Sequence, residues 1–400
     1  MRKAKVLIAD KFEKSGVDAI KAMGCEAVSL PEAGADGLPE AVAEHDPDVL
    51  IVRSTKVKPA VFEKAGRLSM VIRAGAGVDN IDVPAASARG VWVANCPGKN
   101  SLAVAELAWG LILAADRRIA DNAADLRAGR WNKKEYTKAR GLAGRTLAVI
   151  GLGQIGRAVA DRGLAFGMKV VVHSLHLTDE QCAEIGFAHA HSLLETASAD
   201  VISLNVSGAE RLLHADFFDA LRPGTIFVNT SRGSVIDEPA LLRALDRGVR
   251  AGLDVFENEP GQAQGEFHSA VARHPNTVGT HHIGASTDQA QQAIADETVR
   301  ILREFLEGRP APNVINRESK TPAVRLLTVT HLNRPGVLAR VLGALAEERV
   351  NIEEMENTIF KGGVAACARM RMNSEPSAAA LSEIRKRCPE ILSMHVTPID

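Results

Sequence analysis

A single tyrosine and three tryptophans among 400 residues leave little material for an aromatic platform on which single-stranded bases could stack. An excess of one charge is missing too. The 48 basic and 49 acidic side chains sum to a formal net charge of −1, which argues against a nucleic-acid protein held by bulk electrostatics, though not against a local basic pocket. Cysteine is sparse and scattered. Cys25, Cys96, Cys182, Cys367 and Cys388 are odd in number, far apart and form no CxxC, so neither a disulfide framework nor a zinc ribbon is expected. No apolar run approaches the roughly 18 residues of a membrane span. Residues 6–9, between Lys5 and Asp10, are too few for the apolar region of a signal peptide. No nucleic-acid partner, no membrane and a reducing, cytoplasmic compartment are therefore expected.

What is present is ordinary globular material, 46% hydrophobic and 24% charged. At roughly 150 residues per domain, the length suggests two to three domains. Short apolar runs at 5–9, 27–30, 49–52 and 70–72 read as strands, separated by stretches such as 13–23 and 57–65 with helical spacing. That alternation implies parallel strands joined by crossover helices. A longer helix is predicted from about 101 to 120, with Leu102, Ala105, Leu107, Leu111, Ile112 and Ala115 on a broad apolar face. The alternation then restarts, with strands at 146–150, 169–172, 201–204, 225–228 and 252–255. Asp237-Glu238-Pro239 opens a helix with an Asp cap and an early proline. A further helix is predicted over 287–307, followed by a Pro- and Gly-rich linker. The remaining stretch, about 75 residues, has the order βαββαβ, close to the smallest size that folds alone.

Gly151-Leu152-Gly153-Gln154-Ile155-Gly156 lies between the predicted strand at 146–150 and a helix. A bare GxGxxG is weak, since the chain has 33 glycines; the strand–loop–helix context strengthens it. Gly151 permits the tight turn, Gly153 lets the backbone approach a pyrophosphate, and Gly156 lets the helix pack on the strand. The helix N-terminus at Gln154 and Ile155 then offers N–H groups to the phosphates. The ribose position departs from the pattern. An NAD site of this kind has an acid about 20 residues on, whereas the strand end here reads Val172-His173-Ser174. Ser174 can bond a ribose hydroxyl but does not repel a 2′-phosphate, and no arginine follows. NAD is the preferred cofactor, with NADP left open.

Three segments carry side chains suited to hydride-transfer chemistry: Asn229–Gly233 with Arg232, Leu253–Pro260 with Asp254 and Glu259, and His281–Gly284 with His282. Each lies at or just past a predicted strand end, where ligands bind in open parallel sheets. Arg232 would hold a 2-hydroxy or 2-keto carboxylate. His282 would take the hydroxyl proton, and Glu259 would orient the ring and stabilise the imidazolium. Singly, each has an ordinary reading: a surface charge in a turn, a solvated loop acid, a satisfied strand-end histidine. Their order behind a dinucleotide loop favours the joint one.

The chain resembles the D-isomer-specific 2-hydroxyacid dehydrogenases. The resemblance covers essentially the whole chain and rests on residues 73–80, 98–101, 151–156, 231–233, 254–260 and 282–287. It is strongest to members acting on a phosphorylated 2-hydroxy acid on the route to serine. It implies two doubly wound, Rossmann- and flavodoxin-like α/β domains. Residues 1–97 and 288–312 would form a discontinuous substrate domain, 98–287 the dinucleotide domain and 313–323 a linker. It also implies catalysis by Arg232, Glu259 and His282, substrate carboxylate on the backbone of Ala76 and Gly77, Asp254 on the nicotinamide amide, and a homodimer or homotetramer formed through the helix after Ser101. Arg53 and Arg73 match arginines that line the substrate site, where a phosphate needs extra cations; the alternative is solvated surface charge.

Residues 324–400 resemble an ACT domain, a ferredoxin-like small-molecule sensor. His331, Asn333 and Asn351 match positions for an L-serine effector; Asn333 could instead merely cap the helix after Pro335. Ser174, His281 where the family often has proline, and a shortened loop over 205–210 depart from the family pattern. Two other readings stay open: a glyoxylate or hydroxypyruvate reductase or other D-2-hydroxyacid dehydrogenase, and a dinucleotide-sensing interaction protein without turnover.

Overall fold

The structure, a computed structural model, describes residues 3–208, 210–260 and 264–399. The chain divides into two compact units that meet between Asn316 and Arg317. The first contains two parallel sheets. Strands β1 (Lys5–Ile8), β2 (Glu26–Ser29), β3 (Val49–Val52), β4 (Met70–Arg73) and β5 (Trp92–Ala94) form one, in the order β2-β1-β3-β4-β5. Strands β6 (Thr146–Ile150), β7 (Lys169–His173), β8 (Ala188–His189), β9 (Val201–Leu204), β10 (Ile226–Asn229), β11 (Arg250–Leu253) and β12 (Thr277–Gly279) form the other, in the order β12-β11-β10-β9-β6-β7-β8. The first is the flavodoxin-like order and the second the Rossmann order extended by one strand, the architecture that the family resemblance implies.

Strands such as Val49–Val52, fully buried, read as continuous apolar runs because helices cover both faces of a parallel sheet. The helix Ser101–Arg117 packs Ala105, Ala108, Leu111 and Ile112 onto the second sheet. It approaches so closely that a Cβ on Gly252 would lie 2.8 Å from that of Leu111. It ends before the predicted residue 120. Arg118 turns left-handed (φ 51°), its guanidinium held by Asp121 and Glu135, and a second helix, Ile119–Arg127, leaves from there. The helix Asp288–Leu306, capped by Thr287, returns to the first sheet and buries Ile294, Val299, Ile301 and Leu302 against Val6, Ile8, Ile51 and Ile72.

Residues 313–316, at the start of the stretch read as a linker, run antiparallel along the outer edge of β5. Val314 bridges Ala94, Ile315 N–H donates to the Val93 carbonyl at 2.9 Å, and the Asn316 side chain accepts from Val93 N–H at 2.8 Å.

The second unit contains β13 (Arg325–Leu332), β14 (Ile352–Ile359), β15 (Ala365–Met372) and β16 (Ile391–Pro398) in one antiparallel sheet of order β14-β15-β13-β16. Two helices, Val337–Glu347 and Ala378–Arg387, pack on it through Val341, Leu345 and Ile384. This is the ferredoxin-like arrangement.

Candidate active site

The GxGxxG loop leaves β6 at the point where the order of the second sheet reverses, between β6 and β9. Gly151 has φ +87°, and a Cβ there would stand 2.4 Å from the Asn205 carbonyl oxygen. A Cβ on Gly156 would stand 2.0 Å from the Gly151 carbonyl oxygen, so neither position admits a side chain. Gly153 faces open space, with nothing within 4 Å of its would-be Cβ, and it precedes the helix Gln154–Ala165. An open glycine at a helix start suits a pyrophosphate and the N–H groups that hold one. The Gln154 side chain turns toward Gly98 and Ser101, with Ser101 Oγ 3.4 Å from its Oε1. Ile155 packs against the core beneath. Ser174 follows β7; its Oγ meets His176 N–H at 3.5 Å, and the neighbouring Leu175 is 87% exposed. In the loop after β9, Asn205 N–H donates to the Ile150 carbonyl; residue 209 of that loop lies outside the described residues.

Arg232 follows β10 through a turn built from buried polar groups. Asn229 accepts from Ser231 N–H and donates to the Arg232 carbonyl, while Ser231 Oγ bonds the Leu204 carbonyl and Val206 N–H. The guanidinium reaches the glycine loop after β4, where Nε and Nη2 donate to Asp79 Oδ2 at 2.9 and 2.7 Å. A Cβ on Gly77 would lie 2.3 Å from Arg232 Nη2. Among the described residues, neither Ala76 N–H nor Gly77 N–H has a hydrogen-bond partner. Arg73 lies beside them, Nε donating to the Arg53 carbonyl at 3.0 Å. Burial, then the charge of Arg232, lowers its pKa below the usual arginine value. The Arg53 backbone is tied to Asp10, whose carboxylate also takes Ser54 and Thr55 N–H. The first sheet thus brings Asp79, Gly77 and Arg73 to the arginine of the second, with Arg53 near enough to Arg73 for its charge to act there.

Glu259 and His282 meet each other directly. His282 Nδ1 lies 2.7 Å from Glu259 Oε2, and Glu259 Oε1 accepts from Phe256 N–H at 2.9 Å. Burial alone would raise the Glu259 carboxyl, but the bonds from His282 and Phe256, with the charges of His282 and Arg232, bring it below its ordinary value. His282 occupies the left-handed region at φ +52°, a conformation uncommon outside glycine that clusters at functional positions.

Asp254 maintains that conformation. Only 1% exposed, it accepts from Thr280 Oγ1 (2.6 Å), Ile283 N–H (2.8 Å) and Gly284 N–H (2.9 Å), while its carbonyl takes His282 N–H (2.8 Å). The family resemblance implies Asp254 at the nicotinamide amide; in the structure its carboxylate is largely committed to the loop that carries His282. Asp79 is the residue that sequence reasoning passed over. It stands within the quoted glycine-loop stretch, and an acid among arginines was the available signal.

The three residues marked for an effector do not come together within one chain. His331 is 2% exposed, with Nδ1 to the Leu332 carbonyl and Nε2 3.4 Å from Asn357 Oδ1. Asn333, nearby, donates to the Gly363 carbonyl instead of capping a helix. Asn351 precedes β14 at the opposite end of the sheet. His331 pairs with Ala366 and Ile352 with Met372, which at about 3.3 Å per residue separates them by about 20 Å.

Comparison with known proteins agrees with this architecture. Residues 109–284 match the NAD binding domain of the D-isomer specific 2-hydroxyacid dehydrogenases, and residues 325–358 match the ACT domain. The chain is 35% identical over 286 residues to the glyoxylate reductase of Thermococcus litoralis, covering 68% of this chain and 85% of the relative. A solved NADPH-dependent glyoxylate/hydroxypyruvate reductase from Sinorhizobium meliloti, in complex with NADP and malonate, superposes with a TM-score of 0.68 at 29% identity over 78% of this chain and 97% of its own. The chain belongs to the D-isomer specific 2-hydroxyacid dehydrogenase family and carries that family's NAD-binding domain.

Within the family, similarity to enzymes named D-3-phosphoglycerate dehydrogenase recurs. The one from Methanocaldococcus jannaschii is 41% identical over 278 residues, 68% of this chain. The match spans 52% of that relative, so the chain corresponds to about half its length.

Proposed function

We propose that the protein is an NAD-dependent D-3-phosphoglycerate dehydrogenase, interconverting D-3-phosphoglycerate and 3-phosphohydroxypyruvate at the entry to serine synthesis. The observation that carries this reading is the grouping of three cations, with Arg73 bonded to the Arg53 backbone and within reach of the charges of both Arg232 and Arg53. A simple 2-keto acid needs one cation for its carboxylate; a phosphorylated one needs more.

In the oxidising direction, Arg232 and the free N–H groups of Ala76 and Gly77 hold the substrate carboxylate. Arg73, with Arg53 beside it, takes the phosphate, whose binding energy helps align the reacting carbon. The Gly151–Gly156 loop and the helix start at Gln154 would hold NAD, with Ser174 at the ribose, and the nicotinamide would supply the hydride acceptor for C2. With its Nδ1 proton engaged by Glu259, His282 has Nε2 available for the C2 hydroxyl proton, and the carboxylate stabilises the imidazolium that results. Arg232 polarises the oxygen as it becomes a carbonyl. Asp79 holds the guanidinium until substrate arrives and Asp254 holds the histidine loop.

The test is the initial rate of NADH oxidation with 3-phosphohydroxypyruvate, beside hydroxypyruvate and glyoxylate at equal concentration. A strong preference for the phosphorylated acid is expected. Equal or reversed preference would instead assign the chain to the glyoxylate and hydroxypyruvate reductases, a reading favoured by the 85% coverage of the Thermococcus enzyme.

The assembly is proposed to be a homodimer or homotetramer. Leu102, Ile119 and Leu126 are exposed along the helices after Ser101, and Trp131, just beyond them, is 81% exposed. L-serine is the proposed effector of the ACT domain. Because His331 and Asn333 lie far from Asn351 in one chain, a single serine can meet all three only where a second copy contributes its own end of the sheet. Five free cysteines suit a reducing cytoplasm, and no described helix is long and apolar enough to cross a membrane.

A further inference from the structure

Away from the cleft, at the β8 edge of the second sheet, Asp179, His189 and His191 point ligand atoms at one another. One atom from each lies within 4.8 Å of the other two, and no other such group of three occurs among the described residues. His189 Nδ1 is 2.6 Å from Asp179 Oδ1, and His191 Nε2 is 3.8 Å from Asp179 Oδ2. His189 ends the strand and His191 stands two residues beyond it, in the segment that leads to the next helix. The imidazole rings stand 5.0 Å apart.

Contacts outside the trio fix each backbone. Val172 pairs with His189, and His173 Nδ1 bonds the Ala190 carbonyl at 2.8 Å. Thr178 and Gln181 form a reciprocal capping box that sets the start of the helix Asp179–Glu184. Glu195 accepts His191 N–H at 2.9 Å. None of these contacts uses the three ligand side chains, so a scaffold for them exists before any ion arrives.

We propose that Asp179, His189 and His191 form a zinc site that ties the helix start at Asp179 to the end of β8. Two imidazoles and one carboxylate with a water in fourth place are a borderline-soft, tetrahedral donor set. Bond lengths of about 2.0–2.2 Å put tetrahedral ligands roughly 3.3 Å apart, so the widest pair must close by about 1.5 Å at most while the His189–Asp179 contact opens by about 0.7 Å. Asp179 and His191, both well exposed, have room to do so. Binding displaces the Nδ1 proton of His189 to solvent as the metal–nitrogen bond forms. The ion then pins the segment 174–178, which joins the proposed ribose position to the helix.

The experiment uses the untagged full-length protein freed of metal, titrated with zinc chloride by calorimetry and with cobalt(II) by visible absorption. One saturable zinc site per chain in the micromolar range is expected, with tetrahedral cobalt bands and a thermal midpoint raised by a few degrees in zinc. His191→Ala and Asp179→Asn should each weaken zinc at least about tenfold and abolish the cobalt bands. The zinc-free midpoint of His191→Ala should stay at the wild-type value, and His282→Ala should keep the site. Absence of saturable binding, an unchanged isotherm in His191→Ala, or loss in His282→Ala alone would each overturn the proposal.

Discussion

At the carboxyl ends of β10 and β11, each residue proposed to react is braced by a neighbour. Asn229 and Ser231 brace Arg232, Asp79 holds its guanidinium, Glu259 orients His282, and Asp254 ties the loop beneath it. At the carboxyl end of β7 in the same sheet, Ser174 has one long contact and stands beside an exposed leucine. The groups proposed to react are thus held in place without a ligand, as electrostatic preorganisation requires. The proposed ribose end would leave its selectivity to a short loop.

The contrast can be broken first at the braced end. His282→Ala and Arg232→Ala should each lower turnover on the preferred 2-keto acid by about 100- to 1,000-fold, through lost proton transfer and lost carboxylate orientation. Steady-state rates near wild type in both would remove the proposed mechanism.

Next comes the support beneath the junction of the two sheets. Glu297, 5% exposed, bonds Arg300 and Asn313 and pairs with Lys99. The Arg300 bond, assisted by Asn313 and Lys99 against the opposing effect of burial, holds its carboxyl down at about 2, from an ordinary 4.5. A carboxyl depressed in the folded state adds stability above its ordinary value and loses it as the pH falls toward the folded one. Between about pH 4.5 and pH 2, wild type should therefore lose on the order of 2–3 kcal/mol that Glu297→Gln has already lost. Denaturant melts at pH 7 and at the acid end measure this; parallel losses in both proteins would show that the carboxylate is not the stabilising group.

Asp254→Ala tests whether the buried carboxylate acts chiefly through the His282 loop. A drop in kcat of about 10- to 50-fold is expected, with NADH affinity changed only a few-fold. The opposite split would return Asp254 to the nicotinamide contact that the family resemblance implies.

The smallest effect belongs to the unbraced end. Ser174→Asp should shift the ratio of kcat/KM for NAD over NADP several-fold toward NAD, since an acid there accepts from the ribose and repels a 2′-phosphate. An unchanged ratio would mean that Ser174 does not read the ribose.

Local pattern carried most of the fold into view. Strands such as Val49–Val52 and Val201–Leu204 stand where their apolar runs lie, and the βαββαβ order of the last unit is the observed one. The misses are short or depend on distant partners. Ala188–His189 and Thr277–Gly279 are too brief to show a period, and they extend only because β7 and β11 pair with them. The break at Arg118 depends on Glu135, seventeen residues away, which no helical periodicity contains. The site shows the same division. Arg232, Glu259 and His282 stood out from strand ends and motif order, and the fold brings the last two into contact. The bond between Asp79 and Arg232 spans 153 residues and two sheets, so only the folded chain reveals it. The separation of His331 from Asn351 likewise follows from strand register, which residue identity does not encode.

The strip of residues 313–316 along β5 bears on how the chain can be divided. β5 is the last strand of its sheet, and Val93 would offer an unsatisfied N–H and carbonyl to any passing strand if that strip were gone. A bare strand edge is a template for intermolecular pairing. A truncation that stops at residue 312 should therefore self-associate, while one that stops at Asn316 keeps the edge covered. Four residues that look like spacer act as a guard against aggregation.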